Sequence, residues 1–276
     1  MLERSTKLSP RSEERCVFRK EMKKIAIASG QGAGTARIIS RASSGGLQSQ
    51  LSACYIYGII RTGQKIILKS RAIDLTGAKI YSIPYKDIGA LVSRTKYSEY
   101  DPTEDNLLIH NDALREAYVE YKCTVLPLRF STIAKSESDV LKILANGYSK
   151  FRQKMASLAG MVEIAVKIQC DVSALRGQVE REIRSNDNKV LEAALKKKSY
   201  ELADNLFSTL KAISHQHQLN DLIFEDTIMN AAFLISEARS QEFFNEIRKF
   251  EGRHEDILEV KWSGPYVPYS FSEPPA

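Results

Sequence analysis

The stretch from Met161 to Gln169 constrains the fold more than any other. Val162, Ile164, Val166 and Ile168 point one way; Glu163, Ala165, Lys167 and Gln169 point the other. A period of two describes a strand with one apolar face, and the polar face is expected to meet solvent or a partner. A long helical pattern follows from about Val179 to His217. Leu191, Leu195, Leu202, Leu206 and Ile213 mark its apolar side, and Asn186-Asp187-Asn188 is the place where it would break. Ile228 to Ile235 is apolar on both faces and reads as a central strand. Phe243, Phe244, Ile247 and Phe250 line a second helix, and Leu258, Val260 and Trp262 give a closing strand with one buried face. Strand, long helix, strand, helix, strand predicts a ferredoxin-like α+β sandwich in modified form.

The half before Gly160 reads differently. Ala53 to Ile60 is a buried strand of apolar, β-branched and aromatic residues. Lys65 to Leu68 is a short second strand, and Ile80–Ile83 and Asp87–Val92 are strands around Pro84. Sequentially adjacent strands of this length predict a small antiparallel sheet. Thr103 is placed to cap a helix whose stripe is Leu107, His110, Leu114, Ala117 and Tyr121. Ser136 and Asp139 resemble a capping box for a second helix, striped by Val140, Leu144, Tyr148, Phe151, Met155 and Leu158 and ended by Gly160. The fold class is therefore α+β with two domains.

Between the two helices stands Val125-Leu126-Pro127-Leu128-Arg129-Phe130. A proline cannot donate to a sheet ladder, so this strand lies at an edge or stops there. Arg129, in an otherwise apolar run, needs a carboxylate, a carbonyl or a partner. The C-terminal Gly264-Pro265-Tyr266-Val267-Pro268-Tyr269-Ser270-Phe271 cannot be helical, and its aromatics are expected to dock on a surface.

Charge and cysteine usage narrow the function classes. The net charge is +6, and residues 1–50, with ten Lys/Arg and four Glu, hold all of it. The remainder is balanced and has no general electrostatic pull toward nucleic acid. Cys16, Cys54, Cys123 and Cys170 are far apart and form no CxxC pair, which suits reduced thiols in a cytoplasmic protein. No apolar run approaches the ~20 residues that span a bilayer. Residues 1–50 are polar and rich in Ser and Gly, so they are expected to be disordered and carry no secretory signal; Met22 offers an alternative start to residues 1–21.

Several constellations look chemical and are better read as ordinary. Gly30, Gly32 and Gly34 suggest a phosphate loop, but no lysine follows and the spacing misses the dinucleotide pattern. His110 lies on an apolar stripe with no histidine at helical spacing, which favours a core histidine over a catalytic one. His215 and His217, two apart on a helix, would diverge rather than chelate. Glu99, Asp101, Glu104 and Asp105 complement a helix N-terminus. Catalytic, cofactor and metal residues are expected to be absent.

The order of the Val125–Ile133 stretch, then Val162–Lys167, then Ser263–Phe271 resembles the GvpF/GvpL family of gas vesicle proteins. Tyr55-Ile56-Tyr57-Gly58-Ile59 and His110 fit the same pattern, so the resemblance runs from about Tyr55 to Phe271. Ser131 stands where the family often has glycine, and Tyr266-Val267 where it often has tryptophan-proline. The resemblance implies two α+β domains, the second ferredoxin-like. It also implies a minor, non-enzymatic component needed for gas vesicle assembly, located in the cytoplasm and at the vesicle. Its partners would be the hydrophobic shell-forming subunit and other accessory vesicle proteins, with no nucleic acid and no membrane insertion. The candidate partner-binding residues are Pro127, Arg129, Phe130, Gly264, Pro265, Tyr266, Pro268, Tyr269 and Phe271.

The alternative is a ferredoxin-like nucleic-acid-binding module, which would need stacking aromatics on the open face of its sheet. The expected organisation is a leader over 1–50, an α+β domain over 51–160, a ferredoxin-like domain over 161–263 and a docked tail over 264–276. If the leader buries too little to contribute, residues 51–276 alone melt cooperatively at nearly the full-length temperature. A large fall in melting temperature on removing residues 1–50, measured by calorimetry, would show the leader to be part of the fold.

Overall fold

Two antiparallel sheets organise the chain in the computed structural model, which describes residues 53–74, 77–184, 187–222 and 226–272. The expectations for residues 1–50, including the glycine-rich stretch, lie outside the described residues. The chain divides at Ala159/Gly160 and again at Tyr266/Val267, so one unit takes Gly160–Tyr266 and the other takes what precedes and follows it.

The first unit contains β1 (Ala53–Arg61), β2 (Ile80–Tyr85), β3 (Ile88–Thr95), α1 (Glu104–Val119), β4 (Val125–Pro127), β5 (Ile133–Ala134) and α2 (Glu137–Leu158). Its sheet runs β2-β3-β1-β4, with β5 also paired to β1. β1 is therefore interior, which is why Cys54 to Ile60 are all buried. The register shifts between Ile56, opposite Val92, and Gly58, opposite Leu91, so Tyr57 is an extra, bulged residue. Gly58 is needed there: a Cβ would sit 2.8 Å from both a Leu114 methyl and the Leu126 carbonyl. Its absence lets α1 and β4 close on β1.

Both helices start where side-chain caps predict. The Thr103 hydroxyl accepts from the Asn106 N–H at 3.3 Å, and Ser136 Oγ accepts from the Asp139 N–H at 3.2 Å. α1 ends at Val119, so Tyr121 lies beyond it and donates its hydroxyl to the Ile67 carbonyl at 2.6 Å. The expected strand at Lys65–Leu68 is reduced to a single bridge, Ile67 with Tyr81. Ser82 Oγ takes the Ile66 N–H and competes with a regular ladder. Asp87 belongs to the β2–β3 turn rather than to a strand, and Lys86 before it has φ 55°.

The second unit contains β6 (Met161–Cys170), α3 (Val172–Ile183), α4 (Asn188–Ile213), β7 (Gln216–Leu219), β8 (Thr227–Ser236), α5 (Ser240–His254) and β9 (Leu258–Tyr266). The order β7-β8-β6-β9, antiparallel throughout, is the ferredoxin-like arrangement with two helices in its first crossover. Phe233 on β8 meets Phe207 of α4 at 5.9 Å and Phe243 of α5 at 5.4 Å, which places the helices on the face of Ile164 and Phe233. Trp262, the chain's single tryptophan, stacks on Phe244 at 4.4 Å.

Three expectations are corrected here. The long helical pattern breaks before Asn188, at the place expected, but its first helix starts at Val172 rather than Val179 and its second stops at Ile213 rather than His217. Ser214 leaves the helical region and β7 begins at Gln216, so His215 and His217 are not helical at all. Glu163 does not meet solvent: it is 3% exposed, opposite Leu234 on one neighbouring strand and Tyr266 on the other. β9 also runs on through Gly264 and Pro265 to Tyr266, past the expected stop after Trp262.

Gly264 makes that extension possible. Its φ is +125°, and a Cβ would lie 2.7 Å from the Glu163 carbonyl oxygen. Gly264→Ala is expected to destabilise the second unit by at least about 2 kcal/mol, from backbone strain and overpacking together. Urea unfolding followed by Trp262 emission measures this; an unchanged midpoint would mean that β9 can shift to absorb the methyl group.

Candidate functional site

The distinctive residues of the first unit converge on His110. This imidazole is 1% exposed on the inner face of α1. Its Nδ1 lies 2.8 Å from the Tyr55 hydroxyl. The Ser131 N–H donates to the same hydroxyl oxygen at 3.2 Å, and the Tyr55 hydroxyl and His110 Nδ1 share one hydrogen between them. Nε2 makes no hydrogen bond of ordinary geometry.

Aromatic rings enclose the histidine. Ring centroids lie at 5.6 Å for Tyr57, 5.7 Å for Tyr55, 5.8 Å for Phe130 and 6.2 Å for Tyr269. Tyr100 meets Tyr55 edge-on at 5.5 Å. Offset and edge-on pairs of this kind add to the area they bury. Tyr57 accepts from the Ile73 N–H at 3.0 Å and shares a hydrogen bond with Ser93 Oγ. Val267, from beyond the second unit, belongs to the same core, and Tyr269 and Phe130 pack at its margin.

Ser131 explains its own position. Its φ is +63°, a conformation that favours glycine. Serine is kept in place by two bonds: its N–H donates to Tyr55, and its Oγ accepts from the Tyr100 N–H at 2.9 Å.

The candidate residues separate into two groups. Gly264, Pro265 and Tyr266 are strand residues of the second unit, whereas Pro127, Arg129, Phe130, Pro268, Tyr269 and Phe271 belong to the first. Pro127 ends β4 opposite Gly58, at the sheet edge, and is buried. It leaves no open ladder behind it. The Leu128 N–H donates to the Tyr57 carbonyl, the Ile56 N–H donates to Thr132, and β5 takes up the rest of β1. Pro268 is buried and Phe271 is 7% exposed, packed rather than presented to a partner. Arg129 is exposed, and Leu128, Phe130 and Tyr269 are half-buried beside the His110 core.

Electrostatics argue for packing here rather than proton transfer. Burial drives the His110 imidazole down to about 3, with the Leu128 main chain pulling weakly the other way. Burial also pushes Tyr55 far up, and Tyr57 and Tyr100 up to about 12. A base so weak and phenols so reluctant to ionise are poorly matched to chemistry near neutrality. No group of three or more His, Cys, Asp or Glu residues is arranged to hold a metal among the described residues. In the second unit the face of β6 and β8 away from the helices carries Glu163, Ala165, Lys167, Asn230, Ala232 and Leu234. None of these is the stacking aromatic that a nucleic-acid platform requires.

A protein of this kind is a two-unit α+β scaffold whose tail returns to close the core of its first unit. The family model described as "Gas vesicle synthesis protein GvpL/GvpF" matches residues 53–273, and the chain belongs to that family. Gas vesicle protein F of Nostoc sp. is 25% identical, over 80% of this chain and 98% of its own length. Gas vesicle protein F of Haloferax mediterranei is 25% identical over 79% and 92%, and gas vesicle protein L of a Streptomyces species 27% over 78% and 85%. The crystal structure of GvpF from Anabaena sp. PCC7120 has the same fold, with a TM-score of 0.69 over 82% of this chain and 98% of its own at 24% identity. That of GvpF from Microcystis aeruginosa gives 0.64 over 80% and 99% at 22% identity. The chain is thus a gas vesicle accessory protein, and no helix among its described residues is long and apolar enough to cross a membrane.

Sequence reasoning placed His110 on the apolar stripe but missed Tyr55, Tyr57, Tyr100 and Ser131 as its surroundings.

The pH dependence follows from the burial of His110. In the fold the ring stays neutral; in the unfolded chain it takes up a proton near the ordinary value of 6.5. The unfolded state therefore binds more protons below 6.5, and the contribution of neutral His110, complete above 6.5, is lost as pH falls toward about 3. The slope is up to about 1.4 kcal/mol per pH unit for one proton. His110→Gln is expected to flatten urea-measured stability between pH 6.5 and 4. An identical slope in the variant would place the linkage on other groups.

Proposed function

We propose that the protein is a non-enzymatic assembly factor of gas vesicles that binds the hydrophobic shell-forming subunit. In the finer version it covers or nucleates that subunit, and it also contacts other accessory vesicle proteins. Such a subunit must present an apolar face to gas and will aggregate before assembly unless a partner covers that face. Location in the cytoplasm and at the vesicle belongs to the same reading.

One observation carries it: the exposed Arg129 lies between half-buried Leu128 and Phe130 in the chain, and Phe130 and Tyr269 pack against the core around His110. Arginine and aromatic groups at the margin of a rigid apolar core are the side-chain types that dominate interface energies. Ordering them in advance lowers the entropy lost on binding.

Point variants test this better than truncation. Removing everything after Gly264 would take Val267 and Phe271 out of the core and confound binding with unfolding. Arg129→Glu, at an exposed position, is expected to keep the parental melting temperature and to retain the shell subunit at least tenfold less well in a pull-down, a loss of about 1.4 kcal/mol. Undiminished retention by a folded Arg129→Glu protein would move the contact surface away from this stretch.

A further inference from the structure

The edges of the two sheets are not treated alike. β2 is covered over Ile80–Ser82, where Leu68 donates to the Ile80 carbonyl and Ser82 to the Ile66 carbonyl, each at 2.9 Å, and it carries Pro84 beyond. β4 stops at Pro127, and β5 continues that side of the sheet. β9 is interrupted by a register shift at Gly264-Pro265 and carries the Glu259–Lys261 ion pair at 2.9 Å. Covering segments, prolines, irregularities and charges are the devices by which sheet edges avoid pairing with other chains.

β7 has none of these. Gln216, His217, Gln218 and Leu219 are all exposed, with Leu219 at 62%. No Asp, Glu, Lys, Arg or Pro occurs from Ala212 to Asn220, in a chain that is 27% charged. The bonding pattern fixes which main-chain groups face outward. Asn220 donates to the Asn230 carbonyl at 2.8 Å, and the two are directly opposite in the β7–β8 register. In an antiparallel ladder such pairs alternate, so Gln218 and Gln216 also bond inward. The N–H and C=O of His217 and Leu219 therefore point away from the sheet. The outward ladder ends on both sides: the His215 N–H is spent on the Leu234 carbonyl at 2.7 Å, and the Asp221 carbonyl accepts from Asn230 Nδ2 at 3.0 Å.

We propose that a second copy of this chain adds to this edge, β7 against β7, antiparallel about a two-fold axis at Gln218. Only that register pairs the outward groups with each other: His217 of each copy exchanges both main-chain bonds with Leu219 of the other. Registers centred on His217 or Leu219 would call on His215 or Asp221, whose groups are already used. The side chains fit the same arrangement. On the helix side, where His217 already rests edge-on against Phe207 at 5.2 Å, it comes beside Leu219 of the other copy. On the opposite side the two Gln218 amides meet and satisfy one another. Nothing charged is opposed across the axis, so a self-complementary, isologous contact carries no repulsion. A strand this short buries well under the ~1,200 Å² of a standard interface, so the dimer is weak and depends on concentration. The inference does not depend on shell binding through Arg129.

Cross-linking and hydrodynamics test it on the full chain carrying Cys16→Ser; Cys54, Cys123 and Cys170 are buried. Gln218 faces its own symmetry mate at a non-hydrogen-bonded position, where Cα atoms lie about 4.5 Å apart, within disulfide range. Gln218→Cys in a glutathione buffer is expected to form a covalent dimer at least about tenfold faster than Leu222→Cys, an equally exposed control at 53%. Gln218→Lys places like charges opposite each other and is expected to abolish concentration-dependent sedimentation while leaving Trp262 emission and melting unchanged. Equal cross-linking rates at 218 and 222, or sedimentation indifferent to Gln218→Lys, would overturn the proposal. Capture of the shell subunit by Gln218→Cys without self-cross-linking would overturn it as well, assigning the edge to a different occupant.

Discussion

The Tyr55 hydroxyl holds the first unit together at one point. It meets an imidazole of α1 and the N–H of a loop residue after β4, and its own strand is interior to the sheet. Three segments far apart in sequence are thereby fixed by one oxygen. The consequence for His110 is chemical: with Nδ1 bonded to Tyr55 and the ring enclosed by Tyr57, Phe130 and Tyr269, protonation would bury a charge among aromatic rings. The fold therefore depends on the histidine staying neutral, and a neutral ring supplies both a polar contact and an aromatic surface.

Ser131 shows how the opposing terms balance. A non-glycine residue at φ +63° costs on the order of 1 kcal/mol. The bonds through its N–H and Oγ are each worth a similar amount, and without the Oγ the Tyr100 N–H would lose its acceptor. Glycine would remove the strain and one of the bonds together. Either residue therefore suits the turn. Gly58 has no such freedom, because the groups a Cβ would meet include the main chain of β4.

Much of the fold was legible in the sequence because the informative segments obey one local rule each. The β6 alternation, the apolar run of β8, the hydroxyl caps at Thr103 and Ser136 and the stop at Gly160 depend on nearest neighbours. The failures have a common physical form. β7 is Gln-His-Gln-Leu, two residues after a helix whose leucine spacing runs to Ile213 without a glycine or proline to end it. Nothing local separates it from the helix; only pairing with β8 does. Glu163 was misread because period two says which face a residue is on, not what covers that face. At the candidate site the residue types were legible and their exposure was not: Arg129 and Phe271 are both candidate partner-binding residues, and only the first is exposed.

The division of the C-terminal stretch has a further consequence. Gly264-Pro265-Tyr266 completes the ladder of β9, and the residues immediately after it complete the core of the other unit, with Val267 among Tyr55, Tyr57 and Leu114. No spacer separates the two tasks. A change in the packing of either unit therefore acts next to a residue that the other unit needs. Two prolines, Pro265 and Pro268, restrict the backbone around that boundary and limit the conformations it loses on folding. The aromatic character of the tail is thus accounted for by closure of a core.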